Sequence, residues 1–275
     1  MAAFSTLLKG SVNHDANDPS ALVYLGTTSN GTPIHVNRLL QQADVCLGIS
    51  NVVPHNLAGW SGGAKIVQPG ICGKETTYRT HLLAVRCPTT NMGELNNPVR
   101  AEIEKVVEDT GLTGTINTVL DWHGAVVHLV EGEARAAHRR AVELARPIWH
   151  TCPGGNASAR ECQGLPVRRL ADIVLVSSYP ADLDFGQANK GLHAAERIVK
   201  RGGDIILLTP CPEGFSDEKE HVAMLEAMTG IPSRSQYHEA QRRGLEDYAA
   251  LCPYRMLREV SDILHTGTNC AFLKV

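Results

Sequence analysis

Aromatic side chains are scarce in this chain, 5% of its 275 residues. The stacking platforms that hold single-stranded nucleic acids are therefore not expected. Excess positive charge is missing too: the formal net charge is −3 and the pI about 6.5, which leaves no basic footprint for a nucleic acid. No apolar run approaches the roughly 20 residues that cross a bilayer, so no membrane partner is expected. The opening MAAFSTLLKGS has too short an apolar stretch and no basic start, unlike a signal peptide. Eight cysteines lack any CxxC pair or regular spacing, which argues against zinc. Settings such as ADVCLGIS around Cys46 and IILLTPC around Cys211 predict buried, reduced thiols. These features place the chain in the cytoplasm.

What is present is an ordinary soluble composition, 43% hydrophobic and 20% charged. The length is large for one domain, so two are expected. Strand and helix signals alternate, which predicts an α/β fold: two α/β domains, 1–165 and 166–275, with a cleft between them. In the first, strands are predicted at 21–26 and 44–50 and helices at 37–43, 75–85 and 98–111. Two strands within 115–133 meet near His123-Gly124, and a charged amphipathic helix over 133–149 is stopped by Pro147. Residues 150–169, rich in Pro, Gly, Ser and Asn, read as a linker. The second domain opens with strand 171–178, helix 186–203 and strand 204–210, a parallel pair with a right-handed crossover, then helical sequence to about 260. Ligands of such folds collect beyond the carboxyl ends of the strands. No internal repeat or low-complexity tract is present.

The segment HNLAGWSGGAKIVQPGICGKETTYRTH, from His55 to His81, is poor core material bracketed by strand-like sequence. Polar groups displayed on a loop by a rigid scaffold are the usual form of an active site. Lys65 follows SGGA, so it could reach an anion held by the Gly62 and Gly63 amides. The pattern is not the GxxxxGK[ST] of a P-loop. Lys65 is equally readable as a covalent attachment point or a solvated surface lysine. His55 suits acid–base work, and His81 reads as a semi-buried histidine or a metal ligand. In SSYPADLDFGQANKG, Gln187 and Lys190 share a face at a helix start, which suits an anion or carboxylate as well as a simple cap.

The spacing of His55, Lys65 and His81, with GWSGGAK and QPGICG between, resembles the nickel-pincer lactate racemases and related 2-hydroxy-acid epimerases. NHDANDPSALVYLGTTSNGTPIHVN, SSYPADLDFGQANKGL and GGDIILLTPCPEG extend the resemblance over residues 13–215. It implies a nickel-pincer nucleotide linked covalently to Lys65, nickel on His81, and His55 as the base that takes the hydroxyl proton of a lactate-like 2-hydroxy acid. Gln187 and Lys190 correspond to a Gln-x-x-Lys pair contacting cofactor and substrate. Cofactor-building and insertion proteins are the implied partners. The family's preceding segment, with an Asp/Arg motif and a second catalytic histidine, has no counterpart here, which predicts a first domain shortened at its N-terminus. His14 and His35 are not nominated by the pattern. The alternatives are a non-catalytic binder of the cofactor or a metabolite, and an unrelated Schiff-base lysine enzyme.

Overall fold

The computed structural model describes residues 10–86, 91–121, 123–149, 152–153, 166–167, 169–214, 242 and 269–274. Asp18 accepts the Ser20 amide at 2.8 Å and starts a 3-10 turn, Pro19–Ala21, that leads into β1 (Leu22–Thr27). β1 pairs antiparallel with β2 (Pro33–Asn37), a strand that its proline and alternating polar residues hid from the sequence reading. Asn37 then caps α1 (Arg38–Gln42) by accepting the Leu39 amide at 3.0 Å.

β3 (Leu47–Asn51) lies parallel to β6 (Gly114–Leu120), and β7 (Val126–Gly132) closes that sheet antiparallel, in the order β3-β6-β7. The β6–β7 hairpin turns at His123-Gly124 as expected, with Gly124 at φ 79°. Between β3 and β6 lie a two-residue hairpin, β4 (Pro54–His55) with β5 (Gly59–Trp60), a 3-10 turn Gly63–Ile66, α2 (Lys74–Leu82) and α3 (Pro98–Val107). β3 overlaps the strand expected at 44–50. Its Leu47 and Ile49 stand 59% and 66% exposed, while α4 (Ala134–Trp149) packs on this sheet against β6 and β7. Helix α4 also runs through Pro147, which falls in its last turn and forfeits little of the ladder.

The second sheet is wholly parallel: β10 (Ala171–Ser177), β11 (Val199–Thr209) and β12 (Asn269–Lys274), with the two-residue strands β8 (Cys152–Pro153) and β9 (Pro166–Val167) pairing elsewhere. The helix expected over 186–203 is two short pieces, α5 (Phe185–Ala188) and α6 (Lys190–Glu196). The chain turns into a strand at Val199, where β-branched Ile198 and Val199 pack in the sheet's own core. Residues 154–165, with most of the expected linker, and the helical sequence expected towards 260 lie outside the described residues.

Three apolar clusters hold these layers. One joins β2, α1 and α3 through Val36, Leu40, Val99, Ile103 and Val106. A second seals Val52, Trp60, Val119, Ala141, Val142 and Ala145 between the first sheet and α4. The third packs α6 on β10 and β11 through Val174, Leu192, Ala195, Ile205 and Leu207. Arg197, just after α6, donates to Met92 O at 2.8 Å and pairs with Glu94 at 3.3 Å, joining that helix to the segment before α3.

Candidate functional site

The chain leaves the carboxyl end of β3 at Val52, whose amide still donates to Thr118 O at 2.9 Å. It turns at once through β4 and β5, where Pro54 faces Trp60 and His55 faces Gly59. Three residues, Asn56, Leu57 and Ala58, close this hairpin. The imidazole of His55 closes it further: Nδ1 accepts the Leu57 amide at 3.1 Å and the Ala58 amide at 3.2 Å. A nitrogen that accepts two amide protons bears none, so the neutral ring carries its proton on Nε2. Burial holds the His55 pKa well below the usual imidazole range, and the positive charges of Lys65, Lys190, His81 and Arg100 press it the same way. Those groups come from the 3-10 turn, α6, α2 and α3. Sequence-distant residues singled out for chemistry thus converge on one imidazole.

The loop behind His55 is held from beneath. Arg100, on α3 and 2% exposed, donates Nε to Ala58 O and Nη1 to Gly62 O, both at 3.3 Å, and Nη2 to Trp60 O. Burial lowers its pKa to about 10, partly offset by the Glu104 carboxylate. His138, on α4 and 1% exposed, lies with Nε2 2.8 Å from Ser61 O. A carbonyl only accepts, so Nε2 bears the hydrogen, and burial drops the pKa of this ring to about 3. Asn117 of β6 accepts the Gly63 amide at 2.9 Å and donates to Thr115 Oγ1 at 3.0 Å. Four loop carbonyls and one loop amide are therefore fixed by three buried side chains.

That packing explains much of the glycine content. Gly63, at φ 59°, would set a Cβ 2.6 Å from His138 Cβ, and Gly59, at φ 78°, would set one 1.8 Å from Glu94 O. Only glycine lets the backbone sit this close at positive φ. The Gly63 amide is engaged by Asn117, so it is not open to the anion expected of it.

Lys65 sits half-buried in the 3-10 turn, its own amide donating to Gly62 O at 3.2 Å. His81 sits half-buried on the last turn of α2, a helix docked on β2 by Thr76, whose hydroxyl donates to Pro33 O at 2.7 Å and accepts the His35 amide at 3.0 Å. Lys190 Nζ lies 2.6 Å from Gln187 Oε1, so the expected pair is formed, across the junction of α5 and α6. Asp184 caps that start by accepting the Gln187 amide at 2.8 Å. His14 is structural, bridging Cys72 O at 2.9 Å and Asn37 Nδ2 at 3.1 Å, and the His35 ring lies against Tyr24.

Arg100, Asn117 and His138 were missed in the sequence. A signal existed for two of them: each occupies a core position of an amphipathic helix, Arg100 beside Val99 and Ile103, His138 beside Ala137, Ala141 and Val142. Among the described residues no three His, Cys, Asp or Glu side chains gather in a metal-binding group. Lys65 and His81 both act on His55, so the site offers one lysine and one imidazole toward a lysine-linked, metal-bearing group.

The family described as the lactate racemase N-terminal domain matches residues 8–93. The lactate racemases of Thermoanaerobacterium thermosaccharolyticum and Lactiplantibacillus plantarum are each 28% identical over 211 residues, 75% of this chain and 46% of theirs. The chain thus spans about half the length of the curated relatives it matches. The apoprotein structure of the Thermoanaerobacterium enzyme superposes with a TM-score of 0.78 at 24% identity, over 95% of this chain and 58% of that one. A protein from Thermotoga maritima follows with a TM-score of 0.66 at 22% identity, over 89% and 62%. These structures share the α/β fold. Residues 8–93 thus match the lactate racemase N-terminal domain, and the chain is similar in sequence to the lactate racemases over 211 residues.

Proposed function

We propose that this chain supplies the lysine-bearing half-site of a racemase or epimerase acting on a lactate-like 2-hydroxy acid, with a nickel-pincer nucleotide carried on Lys65. The observation that supports this most is the convergence of Lys65, His81 and Lys190 on His55 from three separate elements. When bound, the cofactor would supply an acceptor for the α-hydride. Every other role falls to the chain itself. Lys65, on a turn fixed by Arg100 and Asn117, would hold the cofactor covalently, with Gly62 and Gly63 letting the backbone approach it. His81 would give nickel one imidazole. Lys190, held by Gln187, would pair with the substrate carboxylate through a charge-assisted hydrogen bond. His55 would meet the substrate's hydroxyl oxygen.

The reading puts the chain in the cytoplasm beside the proteins that build and insert the cofactor. Among the described residues, no helix is long and apolar enough to cross a membrane.

Intact-mass analysis after co-expression with the cofactor-building proteins tests the proposal. The expected result is a covalent adduct on the parent chain, absent in Lys65→Ala. His81→Ala should keep the organic adduct and lose nickel, and a His81→Ala chain with stoichiometric nickel would remove the metal assignment. A chiral assay on lactate and other 2-hydroxy acids reads turnover. An adduct without turnover is the result expected of a non-catalytic cofactor binder.

A further inference from the structure

A cavity of about 310 Å³ lies between the last turn of α3 and the first turn of α4, with Ala64 of the 3-10 turn in its wall. None of the residues assigned to the reaction lines it. Val107 and Leu112 supply apolar surface, and the rest of the lining is strongly charged: Glu104, Glu108, Glu133 and Arg135. Arg135 is already spent, with Nε on Glu104 Oε2 at 2.9 Å and Nη2 on Glu108 Oε1 at 3.1 Å. Glu133 holds the start of α4 by accepting the Arg135 and Ala136 amides at 2.9 and 2.8 Å. Three carboxylates thus face one guanidinium, and the carbonyl end of α3 adds partial negative charge. Arg100 also bears on Glu104, but its fork is held by three loop carbonyls, and even with it the carboxylates are in excess.

Two buried acceptors on side chains that line this cavity lack donors. Glu104, 9% exposed, leaves Oε1 without a hydrogen-bond partner, and His138, 1% exposed, leaves Nδ1 without one. Because the His138 ring donates Nε2–H to Ser61 O, its Nδ1 is bare and can only accept. Buried acceptors are normally paired, so both call for a donor. An anion brings none and would meet the carboxylates. A metal ion is not favoured either, since among the described residues no three His, Cys, Asp or Glu side chains gather into a metal-binding group. A neutral donor would leave the excess negative charge unanswered. The chemistry that meets every requirement is a cation with N–H donors on a short carbon chain.

We propose that this cavity binds a small organic ammonium ion, its N–H groups donating to Glu104 Oε1 and His138 Nδ1 and its carbons lying against Val107 and Leu112. The head group is the same in a free amine and in the lysine side chain of another protein. The cavity is large enough to take a free amine of several carbons whole. The site stands whether or not the chain is a racemase. It has a consequence for the turn beside it: His138 holds the Ser61 carbonyl, and Ala64 precedes Lys65 in the chain. An occupant therefore presses on the wall that shapes the lysine-bearing turn, which is the position of an effector and not of a reactant.

Titration of the nitrogen-labelled full chain with n-butylammonium chloride tests this without cofactor or turnover. His138 is followed in a long-range proton–nitrogen correlation spectrum and assigned by its loss in His138→Gln. The expected result is a saturable movement of the Nδ1 signal, together with the Ser61 and Ala64 amides, at an affinity of about millimolar for so few atoms. n-Butanol, with the same carbons and no charge, and sodium chloride should leave these signals in place; a response to either that equals the amine's overturns the proposal. Nα-acetyl-lysine methylamide is the second probe: either amine binding keeps the site, and the tighter of the two assigns its source. Glu104→Gln should weaken n-butylammonium about tenfold, the loss of one charged partner. Glu108→Gln, at an exposed position, should weaken it several-fold, and Ala134→Leu, which fills the cavity and leaves every charge in place, should abolish binding. Unchanged affinity in the last two variants, both folded, overturns the proposal. So does an Nδ1 signal that never moves, the result expected if water alone serves the two acceptors.

Discussion

His138 reaches across from α4 to donate Nε2–H to Ser61 O at 2.8 Å. The ring is neutral in the fold because its pKa is lowered from 6.5 to about 3 by burial. In the unfolded chain the same ring binds a proton near 6.5. Stability from this group is therefore complete above 6.5 and declines as pH falls from there towards 3. The slope approaches about 1.4 kcal/mol per pH unit for one such site. Urea unfolding at a series of pH values should show this loss. His138→Gln, which offers an amide hydrogen to Ser61 O and does not titrate, should show a shallower decline. A parallel decline in both chains would assign the acid sensitivity elsewhere.

Arg100 is the second support. Arg100→Met removes three donors at once and leaves the Ala58, Trp60 and Gly62 carbonyls buried without them, while Glu104 keeps its ion pair with Arg135 at 2.9 Å. At about 1–3 kcal/mol for each buried acceptor left unsatisfied, a loss of about 3–5 kcal/mol is expected. Arg100→Lys keeps the charge but not the planar fork, so it should recover only part of that loss. Thermal unfolding of the three chains checks the order, parent above Lys above Met.

Gly63→Ala meets two penalties: a positive φ and a Cβ 2.6 Å from His138. Gly124→Ala meets the first alone, since nothing lies within 4 Å of its Cβ position at φ 79°. The exposed turn should lose about 1 kcal/mol, and the loop position about 1–3 kcal/mol more from overpacking. Denaturant midpoints of the two variants compare them directly. Equal losses would mean that the loop can retreat from His138.

Cys72 is fully buried and its thiol is pushed up to about 12 by desolvation, whereas Cys46 is partly exposed. Thiolate is the form that reacts. Brief alkylation of the native chain followed by peptide mapping should label Cys46 well before Cys72. Equal labelling would indicate that the β2–α2 junction around Cys72 opens readily.

The sequence was most legible where a single period ran long enough to be seen. The β6–β7 hairpin about His123-Gly124, the helix from Pro98 and the strand from Ala171 all follow from apolar spacing and turn residues. Short elements defeated that reading. β4 and β5 have two residues each, too few for any period, and the hairpin they make is set by Gly59 and by His55 capping its own turn. The helix expected to run to Gly203 stops at Glu196 because Val199 is claimed by pairing with Ala171, a partner remote in the chain. Within the site, His55, Lys65, His81, Gln187 and Lys190 stood out because their setting was odd for a core. The buried Arg100, Asn117 and His138 did not, since a polar residue within a helix or strand announces its partner only after folding.

The loop from Ala58 to Gly63 has a consequence for anyone transplanting it. Its shape is written on α3, β6 and α4, by side chains far along the chain from the lysine it presents. Moving the His55–His81 stretch alone into a foreign scaffold would carry the letters and leave behind the mould. The smallest portable unit includes Arg100, Asn117 and His138 with the sheet and helices that aim them, which makes this motif a property of the whole first layer.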